Sequence, residues 1–294
     1  MGRRSVSLPS YAKVNLHLQV VGRRADGYHE LRTIFQTVDL ADELTLELGS
    51  EGIRLAVEGA ELSAGPENLA RRAAAGFLGR WAPGRGVDIH LRKRIPMGGG
   101  LGGGSSNAAT VLLGLQGLLG SPAPAAGLLA LARELGADVP YFLVGGTALG
   151  VGRGDEILPL PELPARDLLL LLPPVHVPTA QAFAELGELT AGPLDARIGA
   201  LVQRGELGWE AFAHAANDLE GPVFRRWPEL AALHADLRAA GWVARLSGSG
   251  STLWAMPGGD GGAGPMGEGL PGLRRPVGTR IERVRTVARD SLHP

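Results

Sequence analysis

Between positions 96 and 107 the chain runs Pro96-Met97-Gly98-Gly99-Gly100-Leu101-Gly102-Gly103-Gly104-Ser105-Ser106-Asn107, with glycine at six of the seven positions from 98 to 104. Such a run suits one piece of chemistry. Without Cβ atoms, backbone N–H groups can close on an anion, and a helix beginning there adds unpaired donors and the positive end of its dipole. Val87, Ile89 and Leu91 alternate with polar residues like a half-buried strand, while the apolar run 108–119 favours helix. Strand, glycine loop and helix, in that order, are what the phosphates of a nucleotide need. A flexible linker would also be glycine-rich, but seldom sits at a strand-to-helix junction with two hydroxyls at the helix mouth.

Three glycine-rich chemistries compete for this loop. A Walker A loop requires glycine before lysine, and no such pair exists here. Gly98, Gly100 and Gly103 match the dinucleotide spacing, yet the acidic residue due about twenty positions on is replaced by Leu118-Leu119-Gly120-Ser121-Pro122. The accompanying segments of a protein kinase are absent.

Further candidates come from composition. Of 29 basic residues only Lys13 and Lys93 are lysine. Where arginine has displaced nearly every lysine, a survivor marks a place where a compact ammonium serves and a broad guanidinium does not. The formal net charge of −1 gives no global attraction to nucleic acid or to a membrane surface. Cysteine is absent, which excludes disulfides, thiolate metal sites and thiol nucleophiles. Residues 5–21 alternate and carry Lys13 and Asn15 rather than the apolar core of a signal peptide, and the apolar stretch 168–174 is too short to span a bilayer. The expectation is a soluble cytoplasmic protein with no nucleic-acid or membrane partner.

The elements that must position these residues read as strands then helices, twice over, which predicts an α+β fold. Strands are expected at 14–20, 31–40, 44–48, 53–57, 143–151, 167–172 and 277–286, with a hairpin formed by 243–246 and 251–256. Helices are expected at 68–81, 108–119, 128–135, 180–186, 195–203, 209–215 and 228–240. At 294 residues the chain has room for two domains, and the prolines of 159–164 place the boundary near 160, giving 1–160 and 161–294. The Gly/Pro-rich stretch 257–276 predicts neither helix nor strand.

Taken together, 96–109 closely resembles the phosphate-binding motif of the GHMP kinases. Pro9-Ser10-Tyr11-Ala12-Lys13-Val14-Asn15-Leu16 resembles that family's N-terminal motif, and Leu246-Ser247-Gly248-Ser249-Gly250-Ser251 its C-terminal glycine motif. A narrower likeness, to members acting on a cytidine diphosphate ester, rests on Ala12-Lys13-Val14-Asn15-Leu16, Asp26-Gly27-Tyr28-His29, Leu135-Gly136-Ala137-Asp138-Val139-Pro140 and Asn217-Asp218-Leu219-Glu220. The resemblance implies an N-terminal domain like part of ribosomal protein S5, a ferredoxin-like C-terminal domain and an active site in the cleft between them. In that pattern a helix precedes the last strand, where this chain has 257–276.

The resemblance also implies roles. ATP would donate the phosphoryl group, its phosphates bound by Pro96, Met97, Gly98, Gly99, Gly100, Leu101, Gly102, Gly103, Gly104, Ser105 and Ser106. Mg²⁺ would be held mainly by phosphate oxygens and water, with no dedicated protein metal ligands. Asp138 would be the catalytic base and Lys13 its neighbour at the acceptor hydroxyl. The small-molecule acceptor, a cytidine diphosphate ester, would be met by Tyr28, His29 and Phe183 around its base, with Asn15 and Thr179 as polar contacts. The expected assembly is a monomer or weak homodimer. Plainer readings stand beside these: Asp138 as a helix cap, Lys13 as an exposed lysine on a strand's polar side, and Tyr28 as edge packing. Another small-molecule GHMP kinase, or a ligand sensor of the same fold, are the alternatives; a sensor would typically have lost Lys13 or Asp138.

Overall fold

The computed structural model describes residues 4–49, 51–60, 62–186, 196–258 and 272–292. The chain divides into two compact units, one of Met1–Ala12, Leu40–Met97 and Gly102–Gly145, the other of Lys13–Asp39, Gly98–Leu101 and Gly146–Pro294. Two long strands, β1 (Ser5–Arg23) and β2 (His29–Gly49), contribute one end to each unit.

In the first unit β2 pairs antiparallel with β4 (Gly86–Arg92), with Leu46 opposite Ile89, and β3 (Ile53–Glu58) runs parallel to β4. The predicted alternation holds: Val87, Ile89 and Leu91 are buried. Helices α1 (Leu69–Trp81), α2 (Gly103–Leu118), α3 (Ala125–Leu135) and α4 (Val139–Val144) complete the unit, with α1 packed on α2. Asn68 starts α1 by accepting the Ala70 N–H at 3.0 Å. Gly114 lets α2 lie against Leu46, whose Cδ1 a Cβ at that position would strike.

In the second unit β2 pairs antiparallel with β5 (Thr147–Gly152), which pairs with β6 (Glu156–Pro159). A separate antiparallel sheet contains β7 (Asp167–Leu172), β8 (Trp242–Leu246), β9 (Leu253–Pro257) and β10 (Arg280–Arg285) in the order β10-β7-β9-β8. That order, with helices between β7 and β8, is the ferredoxin-like arrangement. The intervening elements are α5 (Thr179–Ala184), α6 (Ala196–Arg204), a 3₁₀ segment (Trp209–His214), α7 (Glu220–Arg226) and α8 (Pro228–Ala239). Leu169 and Leu171 of β7 bury against Leu230, Leu233 and Leu237 of α8 and Leu246 of β8.

The structure corrects several expected boundaries. Residues 31–40 and 44–48 belong to one strand, because Asp42, which reads as a break, is fully buried and hydrogen-bonded. The stretch 143–151 opens with the end of α4; Pro140 initiates that helix, and Gly145 and Gly146, both at positive φ, end it before β5. Helix α7 and strand β6 have no counterpart in the sequence reading, since Gly221-Pro222 reads as a breaker although proline suits a helix's first turn. Of the helix expected at 209–215, Trp209–His214 is 3₁₀ rather than α. Of 257–276, Pro257 closes β9 and 272–276 form neither helix nor strand, while 259–271 lie outside the described residues. No helix among the described residues is long and apolar enough to cross a membrane.

Candidate active site

In the first unit the glycine run delivers the chain into α2. Gly102 is the N-cap in a left-handed conformation (φ +71°), with no side-chain cap bond, and the first turn holds no acidic residue. The first intrahelical bond runs from the Ser106 N–H to the Gly102 carbonyl, 2.9 Å. The N–H groups of 103–105 therefore have no partner within the helix, which leaves a donor-rich, positively polarised start. Ser105 is half-buried at this mouth. Ser106 turns inward instead, its Oγ 2.8 Å from Ser10 Oγ.

Behind the helix start lies a buried charge cluster. Asp42 Oδ1 accepts the N–H groups of Arg94 (2.7 Å) and Ile95 (2.9 Å), and Oδ2 accepts Asn107 Nδ2 (2.8 Å) and the Lys93 ammonium. Lys93 also donates to Asn107 Oδ1 at 3.2 Å, and a Cβ on Gly103 would stand 3.2 Å from its Nζ. Lys93 thus survives where the ammonium is walled in on every side.

Asp138 occupies the N-cap position of α4 with φ −81° and ψ −14°, yet its side chain makes no capping bond. It is half-buried. Two residues earlier, a Cβ on Gly136 would lie 3.9 Å from Ser105 Oγ, so the turn leading to Asp138 passes the mouth of α2. The capping alternative for Asp138 lacks its hydrogen bond.

In the second unit Lys13 is 3% exposed, which removes the surface-lysine alternative. Its Nζ donates to Asn15 Oδ1 (2.6 Å) and lies 5.4 Å from the Phe35 ring centroid. Asn15 in turn donates from Nδ2 to Thr33 Oγ1 at 2.7 Å, and Thr33 donates to the His17 carbonyl. Asn15 is therefore bound inside the protein, where it holds Lys13. The turn 246–250 lies against this pair: a Cβ on Gly248 (φ +57°) would sit 3.3 Å from Asn15 Oδ1 and 3.6 Å from Lys13 Nζ. Ser247 Oγ donates to the Gly100 carbonyl at 2.9 Å, the Thr252 N–H donates to the Gly99 carbonyl at 3.2 Å, and the Lys13 N–H donates to the Leu101 carbonyl at 3.0 Å. Gly100 has φ +76°, and a Cβ there would collide with the Ser247 carbonyl oxygen, so only glycine fits. Residues 98–101 of the glycine run are thus pinned to Lys13 and to the C-terminal glycine turn. Ser249 Oγ is 2.9 Å from Thr179 Oγ1, which brings the exposed Thr179 to the same turn.

His29 and Phe183 stack with ring centroids 5.0 Å apart and 23° between planes. Burial, aided by Arg23, lowers the His29 pKa, which favours neutral imidazole. Tyr28 is 57% exposed, and the Arg153 guanidinium lies 5.1 Å from its ring centroid. Arg153 is held in turn by Asp155 at 2.7 Å. Pro96 is half-buried and Met97 exposed. Sequence reasoning assigned no role to Asp42, Thr33, Ser247, Asn217 or Arg153. Asn217 had a signal, since it opens one of the four segments of the narrower likeness.

Comparison with known proteins defines the class first. The family model of the GHMP kinases N terminal domain matches residues 68–146, which hold α1, β4, the glycine run and α2 to α4. The homoserine kinase structure from Cytophaga hutchinsonii shares the fold at 20% identity, covering 97% of this chain and 95% of its own (TM-score 0.74). Two relatives are more similar in sequence. The 4-diphosphocytidyl-2-C-methyl-D-erythritol kinase of Solibacter usitatus is 42% identical over 86% of this chain and 81% of its own length, and that of Moorella thermoacetica is 42% identical over 85% and 90%. A crystal structure of 4-(cytidine 5'-diphospho)-2C-methyl-D-erythritol kinase matches 96% of this chain and 99% of its own at 39% identity and a TM-score of 0.77. The chain belongs to the 4-diphosphocytidyl-2-C-methyl-D-erythritol kinase family.

Proposed function

We propose that the protein transfers the γ-phosphoryl group of ATP to the 2-hydroxyl of 4-diphosphocytidyl-2-C-methyl-D-erythritol, a step in non-mevalonate isoprenoid precursor biosynthesis. The observation that carries this reading is the 42% identity maintained over 86% of the chain. Because the transition state of phosphoryl transfer is loose, the protein's task is positioning and charge stabilisation. In this reading the N–H groups of 98–105 receive the phosphates, that of Ser106 being taken by the Gly102 carbonyl. The left-handed glycines 98, 100 and 102 and the unpaired start of α2 suit an anion. When bound with the nucleotide, Mg²⁺ would supply positive charge against the phosphate oxygens that hold it.

Asp138 orients the acceptor hydroxyl and takes its proton late in transfer. Lys13, held by Asn15, offsets negative charge developing on oxygen. Tyr28 offers its free face to the cytosine ring, and the His29–Phe183 pair supplies polar and apolar contacts to the same base. Stacking alone tolerates any base, so selectivity for cytosine falls to polar groups such as neutral His29. Thr179 contributes a hydroxyl beside the glycine turn.

The test is phosphoryl transfer by purified protein supplied with ATP, Mg²⁺ and the cytidyl ester, beside homoserine and mevalonate. Transfer to the ester alone is expected. Transfer to homoserine or mevalonate but not to the ester overturns the assignment.

A further inference from the structure

The turn 246–250 meets Lys13, Asn15, Gly100 and Thr179, and it is closed by its own bonds, from the Gly250 N–H to the Ser247 carbonyl and from the Ser247 N–H to the Thr252 carbonyl, both 2.9 Å. Gly248 and Gly250 are both at positive φ, where glycine restricts the backbone least, and the segment 217–220 ties this part of the turn from outside. Asn217 is 5% exposed and uses its whole amide: Nδ2 donates to the carbonyls of Leu246 and Gly248, both at 2.8 Å, and Oδ1 accepts the Leu219 N–H at 3.0 Å. Glu220 Oε1 accepts the Leu246 N–H at 2.9 Å, so both polar groups of the Leu246 backbone are held from one four-residue segment. That segment is fixed to the strand carrying Lys13. The Leu18 N–H donates to the Ala216 carbonyl, the Asp218 N–H to the Leu18 carbonyl, and the Val20 N–H to Asp218 Oδ2 at 2.8 Å.

We infer that Asn217 is a positioning residue for phosphoryl transfer: its two donated hydrogen bonds set the distance between the glycine turn and the Lys13–Asn15 pair. The inference rests on the kinase reading above. It follows from geometry, since one side chain spans two carbonyls two residues apart across the turn that abuts the Lys13 ammonium. Without both donors the Gly248 carbonyl loses its hold, and the face of the turn against Lys13 shifts. Misplacement of about 1 Å costs on the order of a hundredfold in rate.

Asn217→Asp tests this directly, because it keeps the shape and the Oδ1 acceptor while replacing the two-proton donor. Wild type and variant are assayed together for kcat and KM with ATP and the cytidyl ester between pH 5 and 8. At pH 7.5 kcat is expected to fall roughly tenfold to hundredfold, with KM for the ester changing less, since the base of the ester is assigned to Tyr28, His29 and Phe183 while Asn15 and Thr179 meet this turn. A carboxyl aimed at two carbonyl oxygens in a buried place titrates above its usual range, and once protonated it donates one of the lost bonds. The ratio of variant to wild-type kcat therefore rises as pH falls. Asp218 and Glu220 stand in the same segment, Arg245 and Arg238 act on Glu220, His17 accepts the Ala216 N–H, and Lys13 lies beyond Gly248; all are present in both proteins, so the wild-type profile run alongside gives the baseline for the new carboxyl. A merely structural role would lower the melting temperature and leave kcat of the folded protein and the pH ratio flat, which overturns the inference. Should the variant not fold, Asn217→Ser keeps one neutral donor, and full kcat in that protein overturns it equally. A wild type inactive on the ester refutes the kinase reading instead.

Discussion

Replacing Lys93 by methionine removes one half of a buried ion pair and leaves the other in place. Asp42 is fully buried and Lys93 7% exposed, so the stranded carboxylate cannot turn to water. Removing one partner of such a pair costs about 3–5 kcal/mol. Asp42 keeps three hydrogen bonds, from Arg94 N, Ile95 N and Asn107 Nδ2, which places Lys93→Met near the lower end, about 3 kcal/mol. Asp42→Asn strands the ammonium instead and is expected to cost a similar amount. The double variant carries neither charge and should be more stable than either single variant, which is a coupling of more than about 3 kcal/mol in the cycle. Scanning calorimetry at pH 7 reads this as a fall in Tm of about 6–12 °C for each single variant, taking about 2–4 °C per kcal/mol for a chain of this size. Lys93→Arg, which keeps the charge, is also expected to lose stability, since Gly103 and Asn107 leave no room for a guanidinium. Costs that simply add in the double variant, or a single-variant loss below about 1 kcal/mol, would show that the pair is not the energetic unit the geometry describes.

Two further outcomes follow from the site and one from a buried histidine. Asp138→Asn is expected to lower kcat about a hundredfold to ten-thousandfold while leaving ATP affinity nearly intact, by analogy with general-base removal; unchanged turnover would take Asp138 out of the chemistry. Tyr28→Ala should raise KM for the cytidyl ester by the loss of a stacking face, roughly 1–3 kcal/mol or five- to 150-fold, with KM for ATP unaffected; an equal rise in both would point to misfolding. Burial lowers the His234 pKa to about 4 despite its hydrogen bond to the Ala244 carbonyl. Its folded form therefore favours the neutral ring, and the stability it contributes is present above pH 6.5 and lost as pH falls toward 4. Urea denaturation of His234→Gln should show a shallower loss across that window than wild type, and identical slopes would refute the assignment.

The sequence disclosed features whose causes are local. The glycine run, the alternation of β4 and the apolar stretch behind them are each readable within a dozen residues, so the strand–loop–helix order was legible. The fate of Asp42 was not, because its burial depends on Lys93 some fifty positions away, and without that partner an aspartate between two apolar runs reads as a turn. Lys13 shows the same limit from the other side. Its spacing on a strand points to solvent, whereas Asn15, Phe35 and Gly248 enclose it, and only the scarcity of lysine hinted at this. Tyr28, His29 and Phe183 were named together. In the structure His29 stacks on Phe183 and Tyr28 lies under Arg153, contacts between side chains that no spacing rule encodes. Helices α4 and α7 were missed because six or seven residues around a proline carry too little periodicity to declare themselves.

With every other basic side chain an arginine, the burial of Lys13 and Lys93 makes the folded protein a poor substrate for anything that seeks a lysine. Amine-directed labels would find almost nothing to modify on the side chains. A protease cutting only after lysine would have two sites, both closed until the surrounding strands open, and would then release pieces ending at 13 and 93. Because the two sites belong to different compact units, the order in which those pieces appear reports which unit opens first.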